Sequence, residues 1–146
     1  MKIKIATIEE VTNIAPLFNA YRMFYDQANN LAEAASFLSD RITNNDSIIF
    51  CALHNDKYIG FTQLYPTFSS VSMKKAYILN DLYVDENFRR MNVAAQLMDA
   101  AFHFAEDNGA RFVALETGMD NVQAQALYEK VGMIHEQNVK HYIRYW

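Results

Sequence analysis

Apolar side chains recur along this chain with two periods, and the alternation between them lays out the elements. From Lys2 to Thr7 charged and apolar residues alternate as in a short strand. Thr7-Ile8-Glu9-Glu10 then has the spacing of a capping box, so a helix opens there and runs through Val11, Ile14, Leu17, Phe18, Tyr21 and Phe24. Pro16 either kinks that helix or marks its true first turn. A second helical pattern, at Leu31, Ala35, Leu38 and Ile42, ends in the polar cluster Thr43-Asn44-Asn45-Asp46. Period-2 and continuous apolar runs follow at Ile48 to His54, Tyr58 to Tyr65 and Ala76 to Val84. Asn55-Asp56-Lys57 between the first two is a hairpin signal, so the three runs predict an antiparallel meander.

Ala94, Leu97, Met98, Ala101, Phe102 and Ala105 fall on one face of a helix closed by Asn108-Gly109. Phe112 to Glu116 reads as a buried strand, Val122 to Lys130 as a short helix stopped by Gly132, and Met133 to Trp146 as one or two closing strands. The fold class is therefore α/β: a mixed, mainly antiparallel sheet with helices on both faces, and a parallel strand-helix-strand crossover from Ile78 to Glu116. Ligands of such sheets bind beyond the carboxyl ends of the parallel strands, which directs attention to Val84 through Ala94 and Thr117 through Asn121.

Composition narrows the picture. The 146 residues suit one domain spanning 1–146, and at 51% hydrophobic they can fill a core without staples. Cys51, the single cysteine, lies in an apolar run and reads as a buried, inert thiol in a reducing compartment. The amino terminus lacks a signal peptide's apolar stretch, and no segment approaches about 18 consecutive apolar residues, so a soluble, cytoplasmic protein with no membrane partner is expected. Asn45-Asp46-Ser47 is a sequon without a secretion signal and reads as turn chemistry. A net charge of −4 disfavours nucleic acid and tolerates a cationic ligand. His54, His103, His135 and His141 have no ligand spacing with cysteine or carboxylates, so no metal is expected, and no Gly-x-Ser-x-Gly nucleophile is present.

The turn Asp85 to Ala94 leads from a strand into a helix. Such turns aim backbone N–H groups and a positive helix end at one spot, where Arg89 and Arg90 add charged donors; the alternative is an ordinary solvated loop. Arg89-Arg90-Met91-Asn92-Val93-Ala94 resembles the phosphate-binding turn of the GNAT superfamily of N-acyltransferases, in which arginine or glutamine is followed by two variable residues, glycine, one variable residue and glycine or alanine. The chain departs from that pattern at Asn92. Asparagine tolerates the left-handed backbone that glycine adopts, so the turn's shape is expected to survive while the added side chain weakens coenzyme binding. A second stretch, Asn121 to Met133, resembles the superfamily's other signature of asparagine, alanine, Leu-Tyr-Glu and glycine, carried here by Asn121, Ala124, Leu127-Tyr128-Glu129 and Gly132.

This resemblance implies a GNAT-like acyl-CoA N-acyltransferase fold with one parallel strand pair splayed apart, acetyl-CoA as cosubstrate, and a small-molecule primary amine as acceptor, as in the polyamine-acetylating members. It places the coenzyme on Leu82, Tyr83 and Val84 of the splayed strand, on the turn Arg89, Arg90, Met91, Asn92, Val93 and Ala94, and on Asn121 and Tyr128. Tyr128 would protonate the departing thiolate, and backbone N–H groups of the strand would polarise the thioester carbonyl. Asn121 also reads as a helix cap and Tyr128 as core filler. Asp81, an acid in an otherwise apolar strand, is costly to bury unpaired; it either orients a cationic amine or its water chain, or is a structural acid bonded to backbone or to Tyr83. Tyr21, Arg22, Tyr25, Tyr65, His141 and Tyr142 are candidate acceptor walls, and Tyr142 through Trp146 equally reads as core or dimer interface. A homodimer is expected, since dimers are frequent among proteins of this kind. The alternatives are a non-catalytic acyl-CoA-binding module, a structural protein that kept the fold without the coenzyme, and an enzyme acting on protein lysines or amino termini.

Overall fold

A computed structural model describes residues 1–146, which fall into two compact units, Met1–Glu116 and Thr117–Trp146. The first unit holds a five-stranded sheet in the order β1 (Lys2–Ile5), β2 (Ile48–His54), β3 (Lys57–Ser69), β4 (Lys74–Val84), β5 (Val113–Ala114). The first four strands pair antiparallel and β5 joins β4 in parallel, which is the mixed sheet the sequence predicts. Helices α1 (Val11–Phe24), α2 (Leu31–Thr43) and α3 (Val93–Asp107) cover it, and α4 (Val122–Lys130) belongs to the second unit.

Strand β2 shows why helices are needed on both faces. Its run Ile49-Phe50-Cys51-Ala52 is buried residue by residue, so the alternation of a half-wet strand is absent. Ile49 and Cys51 pack with Ile14, Phe18 and Leu38 of α1 and α2. Phe50 turns the other way, its ring 5.8 Å from Phe104 of α3. On β3 the same alternation puts Phe61 edge-on to Phe18. Its neighbour Gly60 faces α3, where a Cβ would come within 3.3 Å of Leu97 Cδ1 and 3.0 Å of the Tyr83 carbonyl oxygen. Glycine lets helix and sheet approach there. Burial pushes the Cys51 thiol up to about 11, as an inert core cysteine requires.

The hairpin at Asn55-Asp56 has two central residues, both at positive φ (48° and 64°), the twist-matched turn that its asparagine and aspartate favour. The capping box also forms: Thr7 accepts from Glu9 N–H, and the Glu10 carboxylate accepts from Thr7 N–H at 3.0 Å. It closes a single 3-10 turn, Ile8–Glu10, after which α1 begins with Pro16 inside it.

Two expectations need correction. The strand predicted over Phe112 to Glu116 reduces to Val113–Ala114, and both residues are only half-buried. No strand forms between Met133 and Trp146; beyond Met133 every residue is exposed, Trp146 and Tyr142 included. Apolar alternation proposes a strand, but a strand exists only where a neighbouring edge takes its N–H and C=O groups, and sequence pattern does not reveal that edge. No helix is long and apolar enough to cross a membrane.

The first turn of the chain carries an ion pair whose acid is buried and whose lysine is partly exposed. Glu10, 6% exposed, meets Lys4 Nζ at 2.6 Å and accepts the Thr7 hydroxyl at 2.6 Å. Burial pushes this carboxyl up, but the bonds from Lys4 and Thr7 outweigh it and hold the group down at about 2. A carboxyl whose pKa is lowered by folding stabilises the native state above its ordinary value and loses that contribution as pH falls toward the folded one. Glu10→Gln is therefore expected to lower Tm by several degrees at pH 7, with the gap to wild type narrowing in thermal melts taken from pH 4.5 down to pH 2.

Candidate active site

The site is organised by β4. Its pairing with β5 is confined to Tyr77 with Val113 and Ile78 with Ala114; from Leu79 to Val84 the strand continues with β3 on one side and no parallel neighbour on the other. Alternate N–H and C=O groups of that stretch, which includes Leu82, Tyr83 and Val84, therefore have no strand partner on that side, and Arg89 takes up the Val84 carbonyl. The register with β3 also slips here. Gln63 opposes Asp81 while Leu64 opposes Leu79, which leaves Asn80 as the extra residue of a bulge. The bulge turns Asn80 and Asp81, consecutive residues, toward one cavity of about 370 Å³. Tyr21 of α1 donates its hydroxyl to the Asn80 carbonyl at 3.2 Å.

Aromatic rings form much of the cavity wall: Phe18, Tyr21 and Tyr25 from α1, Phe37 from α2 and Tyr65 from β3. Arg22 and Glu33 line it with opposite charges. Its volume lies in the range of ~300–1,000 Å³ usual for small-ligand clefts. Asp81 is only 3% exposed, and burial pushes its carboxyl above the usual carboxylate range against bonds from Gln63, Asn80 and Tyr21. Gln63 Nε2 donates to Oδ2 at 2.6 Å and Asn80 Nδ2 donates to Oδ1 at 3.1 Å. Burial and the Asp81 charge together push the Tyr65 phenol up to about 12.

The cavity thus brings together Tyr21, Arg22, Tyr25, Tyr65 and Asp81 from the residues singled out in the sequence. The Asp81 carboxylate is held by the side chains of Gln63, Asn80 and Tyr21 rather than by backbone or Tyr83. Gln63 was not among the candidates. The signal was present, because a glutamine in Ile59-Gly60-Phe61-Thr62-Gln63-Leu64 breaks an apolar strand just as Asp81 does, and a buried acid calls for a donor. Glu33 and Phe37 reach the cavity from α2, a helix whose placement no local pattern specifies.

The turn after β4 has the shape expected of it. Asn92 is left-handed, at φ 63° and ψ 20°, and as the residue before α3 it offers no side-chain cap. The first N–H groups of α3, from Val93 and Ala94, have no intrahelical acceptor and point outward from the helix end. Arg90 is also at positive φ, 68°, and both Arg90 and Met91 are exposed. Arg89 ties the turn to the strand: its Nε donates to the Val84 carbonyl at 3.1 Å and its guanidinium lies over the Tyr83 ring. An open helix end, a left-handed turn and an unpaired strand edge form a donor set that suits a pyrophosphate carried on an amide-containing arm.

In the second unit, Asn121 caps α4, its Oδ1 accepting from Ala124 N–H at 3.3 Å. Gln125 Nε2 donates to the carbonyls of Gly118 and Met119 and so fixes the preceding loop. Tyr128 lies on α4, and Tyr142 is 84% exposed. No three His, Cys, Asp or Glu side chains gather closely enough to hold a metal ion.

Left-handed asparagine can be tested on its own. Asn92→Gly is expected to leave Tm unchanged or slightly raised, whereas Asn92→Val, β-branched at positive φ, is expected to cost about 1–2 kcal/mol, a drop of several degrees in a thermal melt.

Comparison with known proteins agrees with this geometry. The profile described as acetyltransferase (GNAT) family matches residues 14–133. The uncharacterized N-acetyltransferase YhfO of Bacillus subtilis is 46% identical over 142 residues, which cover 97% of this chain and 95% of that one. A crystal structure of a probable acetyltransferase superposes with a TM-score of 0.95 at 39% identity, covering 100% of this chain and 98% of the other. An aminoglycoside N-acetyltransferase solved in complex with CoA shares the fold, with a TM-score of 0.82 at 18% identity over 98% of this chain and 93% of its own. By sequence and by fold, the chain belongs to the GNAT family of acetyltransferases.

Proposed function

We propose that this acetyltransferase moves an acetyl group from acetyl-CoA to the primary amine of a small molecule, by direct attack while both substrates are bound. The observation that carries this reading is the continuity of β4. Asp81 closes an aromatic cavity of small-molecule size, and it lies within the stretch from Leu79 to Val84 that has no parallel neighbour, with Leu82 the next residue along. An acceptor in the cavity and a thioester along the edge would meet within one or two residues of strand. The turn Arg89 to Ala94 would hold the pyrophosphate, and the edge at Leu82, Tyr83 and Val84 would pair with the arm.

A thioester supplies an already activated acetyl group, so the chain's own work is alignment and proton handling. The amine arrives as an ammonium, with a pKa near 10.4 in water. Asp81 attracts that cation, and the rings of Tyr21, Tyr25 and Tyr65 add cation–π contact. One proton leaves through Asp81 or a water beside it; the neutral nitrogen then forms the C–N bond as the C–S bond breaks. The departing thiolate takes a proton from Tyr128, and the acylated nitrogen gives up its second proton to restore the phenol, directly or through water; the role of Tyr128 is assigned from the match of Leu127-Tyr128-Glu129 to the family signature. Asn121 would bond the pantetheine arm or pyrophosphate, on the same ground.

Calorimetric titration with acetyl-CoA, followed by thiol release with diamines, polyamines, an aminoglycoside, amino acids and peptides, tests the whole reading. Amine-dependent release is expected, with Tyr128→Phe lowering kcat by about 10²-fold while coenzyme still binds. Release with peptides alone would move the acceptor to proteins, and binding without release to any amine would sink the transferase reading. Asp81 carries a sign of its own. Its raised pKa means that ionising it destabilises the fold as pH rises through the carboxylate range, so Asp81→Asn is expected to raise Tm at pH 7 while abolishing the acid limb of kcat/KM for the amine.

A further inference from the structure

Gln63 is fully buried in the middle of β3, in a sheet interior that otherwise admits almost no polar side chain. Its Nε2 donates to Asp81 Oδ2 at 2.6 Å, against 3.1 Å for the bond from Asn80 to Oδ1. Its Oε1 has no protein partner although it is shielded from solvent. Native interiors rarely leave a polar atom in that condition, and where they do a function often keeps it there. Thr62, the preceding residue and equally buried, donates its hydroxyl to the Asp81 main-chain carbonyl at 2.8 Å. Two adjacent β3 residues therefore grip both the backbone and the side chain of Asp81, at the point where the Asn80 bulge has broken the regular ladder.

We propose that Gln63 is a positioning residue for acetyl transfer: its amide fixes the direction and the charge of the Asp81 carboxylate, and thereby sets how the cavity receives the acceptor amine. The proposal rests on the role given to Asp81 above. A carboxylate that gains a hydrogen bond in its charged form ionises more readily, and the Gln63 amide opposes the burial that would keep Asp81 neutral. Asn80 and Tyr21 also bond the Asp81 carboxylate, but the Gln63 amide gives the strongest support. Of the remaining cavity groups, Arg22 and Tyr25 come from α1; from α2 comes Glu33, a like charge; from β3 comes Tyr65, whose phenol stays neutral. Arg22 makes no ion pair with Asp81, and its Nη1 is bonded to the Ala28 carbonyl.

The test is a carboxyl ¹³C NMR titration of Asp81 in the full chain, wild type against Gln63→Met, a substitution that keeps the length of the side chain and removes its donor. The Asp81 midpoint is expected to rise by about one to two pH units. An unmoved midpoint overturns the proposal and leaves the role of Asp81 in acetyl transfer intact. In kinetics, the acid limb of kcat/KM for the amine is expected to move up with the midpoint while KM for acetyl-CoA changes less than about twofold. Placed on Asp81→Asn, Gln63→Met is expected to add less than about twofold; a full, independent loss there overturns the proposal. Should Gln63→Met fail to fold, the wild-type Gln63 side-chain amide resonances are expected to follow the Asp81 titration, and indifference to it is equally fatal. A moved midpoint with Asp81→Asn kinetics equal to wild type would overturn the role given to Asp81 and the positioning role with it.

Discussion

The structure depends on one strand being irregular in two ways at once. β4 loses its parallel neighbour after Ile78 and its register with β3 at Asn80, within three residues. A regular strand there would send Asn80 and Asp81 to opposite faces and would close the sheet edge with a partner. The bulge instead delivers both to one cavity, and the residues that follow continue without a parallel strand beside them. Neither irregularity is held by β4 itself. Thr62 and Gln63 on β3 and Tyr21 on α1 bond to the bulged residues, so the meander and the first helix act as the clamp.

Much of this was legible because the chain is locally consistent. Thr7-Ile8-Glu9-Glu10 caps as its spacing says, Asn55-Asp56 turns as its residue types say, and Asn92 takes the left-handed conformation that the glycine-to-asparagine departure permits. What was not legible is pairing. The bulge at Asn80 leaves no trace in Ile78-Leu79-Asn80-Asp81-Leu82, because a bulge is a property of two strands and their registers. The residues from Met133 to Trp146 fail as a predicted strand for the same reason: their apolar side chains meet no edge that takes the backbone. Site residues divide likewise. Asp81 stood out as a charge in an apolar run, whereas Phe37 and Glu33 reach the cavity only because α2 packs beside α1.

The cavity sets stability against use. Asp81 lies among rings and aliphatic side chains, and burial opposes its charge; Gln63 keeps an acceptor without a partner in the same interior. A fold selected for strength alone would place apolar residues at both positions. Both positions lie beside the point where β4 loses its parallel neighbour, so the break in parallel pairing and the sheet's one buried acid coincide. The Lys4–Glu10 pair at the edge of the first unit shows the contrast, since there the buried carboxylate meets a cation and three bonded groups satisfy it.

Core packing also decides how this protein can be watched at work. Its one thiol, Cys51, lies between β2 and the first two helices, with Sγ against the Lys4 carbonyl and a proton held until about pH 11. Thiol-capturing dyes react with exposed thiolates, so the folded polypeptide is silent to them at neutral pH. Colour that develops beside the folded chain therefore comes from a thiol other than Cys51, and the polypeptide carries no background of its own into that readout.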